Sequence, residues 1–459
     1  MTKIFFSLLI FSISCSPFAR AQSGKPAEIV VTPYKTTMIA NGKDRALINI
    51  SVIDKQGIEV SSADNVIRIK ITGDAAVISA NNKSVPANDM TSFQEKLIDG
   101  KLSIVLQAGK NKDVVKFDAM ADSLITGSTE IHTVQPGIPH PVTTGTPVAG
   151  KGTIDYKIIG ADISFLPQLE ARGMKFYDKD SQQKDAIEIL KENGFNYIRL
   201  RIFNHPEVTK GYSPNKGFCD LQHTMQMAKR IKAAGLKFLL DFHYSDTWAD
   251  PQRQDVPAVW SKLDFPALKD SLFNYTKTVM QTLKNQGTVP DMVQVGNEIN
   301  HGMVWPYGEI NNLDSLANLI YAGVSAVKTV NPATKIMIHI ALGGQNEEAH
   351  FFLDNMLKRN VPFDVIGLSY YPKWHGTLKD LQANVNNLAA TYKKYVMVAE
   401  YSQLKQQVND IAFSVPGNRA LGTFIWEPLS TWESVFDKQG KANAFLEVYP
   451  VIARKYNVH

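Results

Sequence analysis

Cysteine is almost missing: among 459 residues only Cys15 and Cys219 carry a thiol. Two cysteines so far apart exclude a disulfide framework and match no zinc-site spacing. Charge of one sign is also scarce. Forty-nine Lys and Arg stand against 44 Asp and Glu, a net charge of +5 spread along the chain without a basic block. That excludes the electrostatic footprint of a nucleic-acid binder. Long apolar runs are lacking as well. Ile4 to Ile13 is an almost unbroken one, but it is too short to span a bilayer. Core-forming residues are plentiful, with 44% hydrophobic residues, 22 Phe, 16 Tyr and 6 Trp, so the chain is neither disordered nor of low complexity. At roughly 100–200 residues per domain, the length suggests two or three domains.

The first 21 residues read as a secretory leader. Lys3 precedes the apolar run, and Ala19-Arg20-Ala21 supplies the small-residue cleavage site. Cleavage after Ala21 removes Cys15, Lys3 and Arg20, lowering the net charge to +3 and leaving Cys219 unpaired. The expectation is an exported protein in the periplasm, at the cell surface or outside the cell, held together by core packing. Lipidation of Cys15 is the alternative, although Ser12-Ile13-Ser14 lacks the usual Leu three positions before the Cys.

Residues 25–131 alternate apolar and polar side chains, as in Ala46 to Ile53, Val66 to Ile71 and Lys101 to Leu106. Turn signals separate the runs: Asn41-Gly42, Asp54-Lys55-Gln56-Gly57 and Asp99-Gly100. Short alternating strands without helical stretches predict a β-sandwich. The stretch from Asn41 to Gly57, with Asp99 to Gly109, resembles the immunoglobulin-like domains appended to bacterial β-galactosidases. That resemblance implies a spacer or docking module. Residues 132–153, with Pro136, Pro139, Pro141 and Pro147, read as a semi-rigid linker.

From residue 154 the pattern becomes strand, loop, helix, repeated to the end of the chain. Eight candidate strands are Lys157–Ser164, Tyr197–Phe203, Lys237–Tyr244, Met292–Glu298, Lys335–Ala341, Val365–Pro372, Val396–Ser402 and Ala420–Pro428. Helical stretches lie between them, such as Gln183–Glu192, Thr224–Ala234, Leu268–Asn285 and Ser315–Val330. Eight strands alternating with helices predict a (β/α)8 TIM barrel. An open doubly wound sheet is the rival, but no Gly-x-Gly-x-x-Gly loop follows the first strand.

Strands buried on both faces should be apolar, yet these finish in chemistry. The first carries Asp162, the second Arg199 and Arg201, and the third ends Asp241-Phe242-His243-Tyr244-Ser245-Asp246 with Trp248 behind. The fourth ends Asn297-Glu298, the fifth contains His339, and the sixth ends Ser369-Tyr370-Tyr371-Pro372 before Trp374 and His375. The seventh ends at Glu400 and the eighth at Trp426-Glu427. C-terminal strand ends form the active site of barrel enzymes, so one ring collects them all. Glu298 and Glu400 are the key pair. Two carboxylates across a barrel mouth suit glycoside hydrolysis, one kept protonated for the leaving oxygen and one ionised to attack the anomeric carbon. Taken singly, a Glu at a strand end is more often a salt bridge or a helix cap. Asn297 favours the catalytic reading, since an Asn there can bind the sugar 2-hydroxyl.

Gly160-Ala161-Asp162-Ile163-Ser164, Lys175-Phe176-Tyr177-Asp178, Tyr197 to Arg201, Asp241 to Pro251, Val295 to Glu298, Ser369 to Pro372 and Trp374-His375-Gly376 together resemble glycoside hydrolase family 53, the endo-β-1,4-galactanases. The resemblance runs over about 157–459. It implies a retaining double displacement on β-1,4-galactan and type I arabinogalactan, with Glu298 as acid/base and Glu400 as nucleophile. Arg199 or Arg201 would hold Glu400 ionised. His243 and Tyr370 would lie near the nucleophile or the sugar, Asp162 and Asp246 would bind hydroxyls or cap loops, and Trp248, Trp374 and Trp426 would stack on sugar faces. Trp305 would line the aglycone side. His339 and His375 read as core histidines, and Trp260 and Trp432 stay unassigned. Bacterial relatives often carry a long calcium loop after the nucleophile. Here only about 18 residues, Gln403 to Ala420, fill that place, with Asn409 and Asp410 as the obvious oxygen ligands. Calcium needs six to eight oxygens, so the expectation is a monomer acting on a polysaccharide without metal or cofactor. The alternatives are a mannanase or xylanase on the same barrel, and a non-catalytic glycan-binding protein.

Overall fold

The computed structural model describes residues 24–135 and 154–458, except 43, 82, 87–89 and 342. The expected leader and most of the expected linker lie outside the described residues. The chain divides into two compact units, parting in sequence near Thr133.

In the first unit two five-stranded sheets face each other. One runs in the order Glu28–Pro33, Arg45–Ile53, Lys101–Ala108, Ala75–Ala80, Lys83–Ser84. The other runs Thr37–Ile39, Gly127–Val134, Asp113–Met120, Val66–Thr72, Ser92–Lys96. The sandwich ends slightly later than expected: its last strand continues to Val134, taking in the first linker residues. Strict alternation sorts the side chains. Ile48, Ile50 and Val52 point inward from one strand, and Ile67, Ile69 and Ile71 from another, while their neighbours face water. Register places Ile48 opposite Ile104 and Ile71 opposite Phe117. Apolar cross-strand pairs on a buried face are what stabilise a sheet.

In the second unit eight parallel strands close into a barrel: β1 (Ile158–Asp162), β2 (Tyr197–Ile202), β3 (Lys237–Phe242), β4 (Met292–Val295), β5 (Lys335–Ile340), β6 (Val365–Tyr370), β7 (Tyr395–Tyr401) and β8 (Ala420–Trp426). Helices follow the strands, the longest being Phe265–Asn285 and Leu313–Val330. The expected helix at Gln183 begins later. Gln183 and Lys184 pair with Phe176–Tyr177, and the helix starts at Ala186 behind the cap Asp185, whose carboxylate accepts from the Ile187 amide.

Each strand is buried on both faces, and parity decides which layer a residue joins. In β2, Ile198, Leu200 and Ile202 pack outward against the helices. Tyr197 points inward onto an apolar floor shared with Ile158, Leu239, Met292, Met337, Val365, Met397 and Phe424. Gly160 leaves room for that floor, because a Cβ there would sit 2.2 Å from the Phe424 ring. Above the floor the buried inward positions turn polar: Asp162, Arg199, Arg201, Asp241, Gln294, His339 and Ser369. The barrel is therefore a packed apolar base under a charged mouth.

Candidate active site

Arg199 is the hub of the mouth. It is 1% exposed. Its Nη1 donates to Asp162 Oδ2 at 3.0 Å and to Glu400 Oε1 at 3.1 Å. Its Nη2 donates to Asp241 Oδ2 and Asn297 Oδ1, both at 2.9 Å, and Nε reaches Gln294 Oε1 at 3.2 Å. Acceptors from several strand ends thus converge on one planar fork, the geometry that guanidinium serves and an ammonium does not. Burial works against the charge, but the surrounding carboxylates keep Arg199 firmly protonated. Burial likewise opposes ionisation of Asp162, and the two arginines more than offset it, holding that carboxyl below the usual range.

Glu400 sits on β7 beside a break in regular pairing with β8, and its register partner on β6 is Ser369. Ser369 Oγ in turn donates to Glu298 Oε1. Glu298 lies beyond β4, past Gly296 and Asn297, in the left-handed region at φ 48° and ψ 50°. A non-glycine residue there is strained by roughly 1–2 kcal/mol. The turn swings the side chain over the mouth, and oxygens of Glu298 and Glu400 lie within 4.8 Å of each other.

The two carboxyls are in different electrostatic settings. Burial pushes Glu400 up to about 7, with Arg199 pulling the other way. Burial and repulsion by Glu400 push Glu298 well above the ordinary carboxylate range, and among the described residues only Ser369 makes a direct hydrogen bond to oppose them. The pair therefore shares one proton near neutrality, and the cation places the negative charge on Glu400.

Arg201 forms the next layer. Its Nη1 bonds Glu427 Oε1 and lies 3.4 Å from Asp162 Oδ1, and Nη2 donates to Tyr212 at 3.2 Å. Its guanidinium packs on the rings of Phe165, 4.5 Å away, and Trp248, 4.6 Å away, which meet each other edge to face. Above this stack opens a cleft of about 300 Å³ lined by both glutamates, Asp250, Tyr371, Trp374, Trp426 and Trp432. Trp432 is 56% exposed and stands 5.7 Å from Trp426, 5.9 Å from Trp374 and 4.8 Å from Tyr371. Exposed flat rings beside a row of carboxylates suit a ligand with apolar faces and hydroxyl edges.

Residues 158–410, more than half of the chain, match the family model described as glycosyl hydrolase family 53. The chain belongs to glycosyl hydrolase family 53. An endo-beta-1,4-galactanase of Bacillus subtilis is 40% identical over 245 residues, covering 53% of this chain and 56% of that protein. An arabinogalactan endo-beta-1,4-galactanase A of Aspergillus niger is 33% identical over 315 residues, covering 61% of this chain and 87% of that one. The solved Ignisphaera aggregans GH53 catalytic domain superposes with a TM-score of 0.62 at 33% identity, over 69% of this chain and 99% of the other. Residues 29–130 match a second family model, glycoside hydrolase family 2 C-terminal domain 5.

Within this family 53 barrel, most of the expected residues converge. Asp162, Arg199, Arg201, His243, Trp248, Asn297, Glu298, Trp374, Glu400 and Trp426 all line the cleft. His243 is fixed there by the Ala249 amide, which donates to Nδ1, and by Asp241, 3.1 Å from Nε2. Asn297 Nδ2 donates to Ala249 O, leaving its second N–H for a ligand. Tyr370 does not converge. Ser369 points inward, so Tyr370 points outward into the helix layer and donates to Gly376 O, while Tyr371 takes the place at the cleft. Asp246 braces loops, one of its two expected roles, accepting from the His205 and Ala258 amides. Trp305 donates to His301 O outside the cleft lining.

Gln294, Ser369, His339, Tyr371 and Trp432 are site residues to which the sequence alone assigns no part in the site. His339 is fully buried, as a core histidine is, yet both ring nitrogens meet polar partners of the site. Parity along β4, β5 and β6 was the available signal for the first three and for Tyr371. Glu298, His339 and Glu400 have the donor types of a metal trio. However, His339 Nε2 faces Ser369 at 2.9 Å and Nδ1 faces Gln294 at 2.8 Å, so the imidazole has no lone pair left for an ion. After Glu400, Asn409 Oδ1 accepts from Thr423, and Asp410 Oδ1 accepts from Lys455, Tyr456 and Gln406. Both of these oxygens already carry hydrogen bonds.

Proposed function

We propose that the protein is a retaining endo-β-1,4-galactanase acting on galactan and type I arabinogalactan. The observation that carries the reading is the approach of Glu298 and Glu400 to within 4.8 Å across the mouth, with only Glu400 on a cation. Retaining pairs stand about 5–5.5 Å apart and inverting pairs about 6.5–9.5 Å apart, the larger gap holding a water.

In the first step Glu298 gives its proton to the glycosidic oxygen, and Glu400 attacks the anomeric carbon as the C–O bond breaks. The products are a shortened chain with a new hydroxyl and a glycosyl ester on Glu400. Losing the negative charge on Glu400 lowers its repulsion on Glu298. In the second step Glu298, now ionised, takes a proton from water as the water oxygen attacks the same carbon and frees Glu400. Both protonation states of Glu298 must be accessible, which is why a carboxyl raised by burial and a neighbouring charge suits the task. Arg199 and its acceptors hold Glu400 in place. Trp374, Trp426 and Trp432 offer stacking surfaces along the cleft.

The reading includes export, action as a monomer on a polysaccharide, no metal or nucleic-acid partner, and a spacer role for the sandwich. No described helix is long and apolar enough to cross a membrane. The test is incubation with linear β-1,4-galactan, followed by chromatography of the products. Short β-1,4-galacto-oligosaccharides of several lengths are expected from early times. Products from mannan or xylan alone would reassign the substrate, and binding without any product would remove the enzymatic reading. Mass measurement of the mature secreted chain tests cleavage after Ala21.

A further inference from the structure

The cluster behind Glu298 is a chain of fully buried polar groups. Ser369 Oγ donates to Glu298 Oε1, His339 Nε2 lies 2.9 Å from that Oγ, and Gln294 Nε2 lies 2.8 Å from His339 Nδ1. Gln294, His339 and Ser369 are each 0% exposed. Ser369 Oγ donates to Glu298 Oε1, and that oxygen accepts both when Glu298 is ionised and when its proton sits on Oε2. The Oγ lone pairs then accept, which requires the hydrogen of His339 on Nε2. Nδ1 is left bare and accepts from Gln294. The Gln294 amide is itself oriented by Arg199 Nε, which donates to its oxygen at 3.2 Å. Asn297 Oδ1 also lies 3.0 Å from Nδ1, but its two lone pairs already accept from Arg199 Nη2 and Gln294 Nε2.

We infer that Arg199, Gln294, His339 and Ser369 form a directional relay that fixes which oxygen of the acid/base carries the proton. Gln294 sets the imidazole tautomer, the imidazole sets the Ser369 rotor, and the rotor commits Glu298 Oε1 as an acceptor. The proton is thereby kept on Oε2, which has no hydrogen-bond partner among the described residues and belongs to the side chain lining the cleft. The same hydroxyl stabilises Glu298 when it is ionised for the second step. Ser369, His339 and Gln294 are positioning residues, since none of them reaches the reacting atoms. Their arrangement also links the two carboxyls, because Arg199 bonds Glu400 directly and Glu298 through the chain. The inference rests on the proposed acid/base role of Glu298.

Burial and the nearby Arg199 hold His339 well below the usual histidine range, with His243 and His375 acting in the same direction. His339 should therefore stay neutral across the working range. The charged and titratable groups facing Glu298 are Glu400, Asp250 and Arg199.

Two experiments test the relay. The first is ¹⁵N NMR of the full chain labelled at histidine, with the His339 signals identified by their loss in His339→Gln. A neutral, Nε2-protonated tautomer that does not titrate between pH 5 and 8 is expected. An Nδ1-protonated ring, or an imidazolium, would overturn the relay whatever the enzyme's substrate. The second is the pH profile of kcat/KM on galactan for Ser369→Ala. Loss of a hydrogen bond to the charged form should move the alkaline limb upward by about one pH unit. It should also lower the hydrolysis of the glycosyl-enzyme more than its formation, because the second step needs the anion. An unshifted limb with unchanged partition between the steps would leave Ser369 a packing residue and overturn the inference. Full activity in Glu298→Gln would instead remove the acid/base reading, and the tautomer seen by NMR would still decide the relay independently.

Discussion

The interior of the sandwich and the interior of the barrel solve burial in opposite ways. Inside the sandwich, Ile48, Ile69, Ile104 and Phe117 belong to one apolar cluster, and buried inward positions are apolar but for Thr133 near its end. Inside the barrel only the floor is apolar. Two buried arginines stand among Asp162, Asp241, Glu298, Glu400 and Glu427, so the carboxyls outnumber the cations. They cannot all ionise together, and burial pushes Glu298 and Glu427 well above the ordinary range. An apolar core maximises the hydrophobic contribution to stability. A charged core gives up part of it and gains groups with shifted protonation, the trade expected where chemistry is done.

The largest way to break that contrast is to neutralise one of the catalytic pair. Glu298→Gln or Glu400→Gln should lower kcat on galactan by roughly three orders of magnitude, read as reducing-end release. Circular dichroism should stay unchanged, since each substitution keeps the shape of the side chain. The next test removes the hub. Arg199→Met would leave Asp162, Asp241 and Glu400 buried without their shared cation. A loss of about 3–5 kcal/mol in barrel stability is expected in denaturant melts, together with loss of activity. A barrel of unchanged stability would show that the arginine does not hold the charged mouth together.

The mirror experiment sits in the sandwich. Ile104→Ala should destabilise that unit by about 2–5 kcal/mol. With soluble galacto-oligosaccharides, kcat should remain within about twofold of the parent, since no cleft residue lies in the sandwich. A proportional fall in kcat would tie the two interiors together.

The smallest effect is in the pH dependence of stability. Folded Glu298 keeps its proton at pH values where the unfolded chain has lost it, so the native state binds more protons there. Stability must then fall as pH rises from about 4.5 toward the folded value. Glu298→Gln lacks this loss. Its melting temperature should equal the parent's near pH 4 and exceed it by a few degrees at pH 8. A constant difference across that range would contradict the raised carboxyl.

Much of the barrel was legible because buried parallel strands advertise themselves as short apolar runs, and their polar ends stand out against that background. The parity of β2 was also readable: Tyr197, Arg199 and Arg201 share a face, and all three point inward. Tyr370 was misplaced although the same rule governs β6, where an inward Ser369 forces the next ring outward. Trp432 carried no periodic signal because it lies in the irregular segment after β8, whose path is set by long-range contacts. Asp246 and Trp305 look like site residues from their neighbours in the chain. Their partners, His205, Ala258 and His301, are known only once the loops are folded. His339 was recognised as buried, but burial alone did not reveal that its nitrogens serve Ser369 and Gln294.

The central claim is that Glu298 and Glu400 act as a retaining pair. ¹H NMR of galactan cleavage, followed from the first minutes, tests it most directly. Double displacement predicts that the new reducing ends appear first as the β-anomer and reach the equilibrium mixture only by later mutarotation. Initial appearance of the α-anomer would mean a single inversion at the anomeric carbon, and would contradict the assignment of Glu400 as nucleophile.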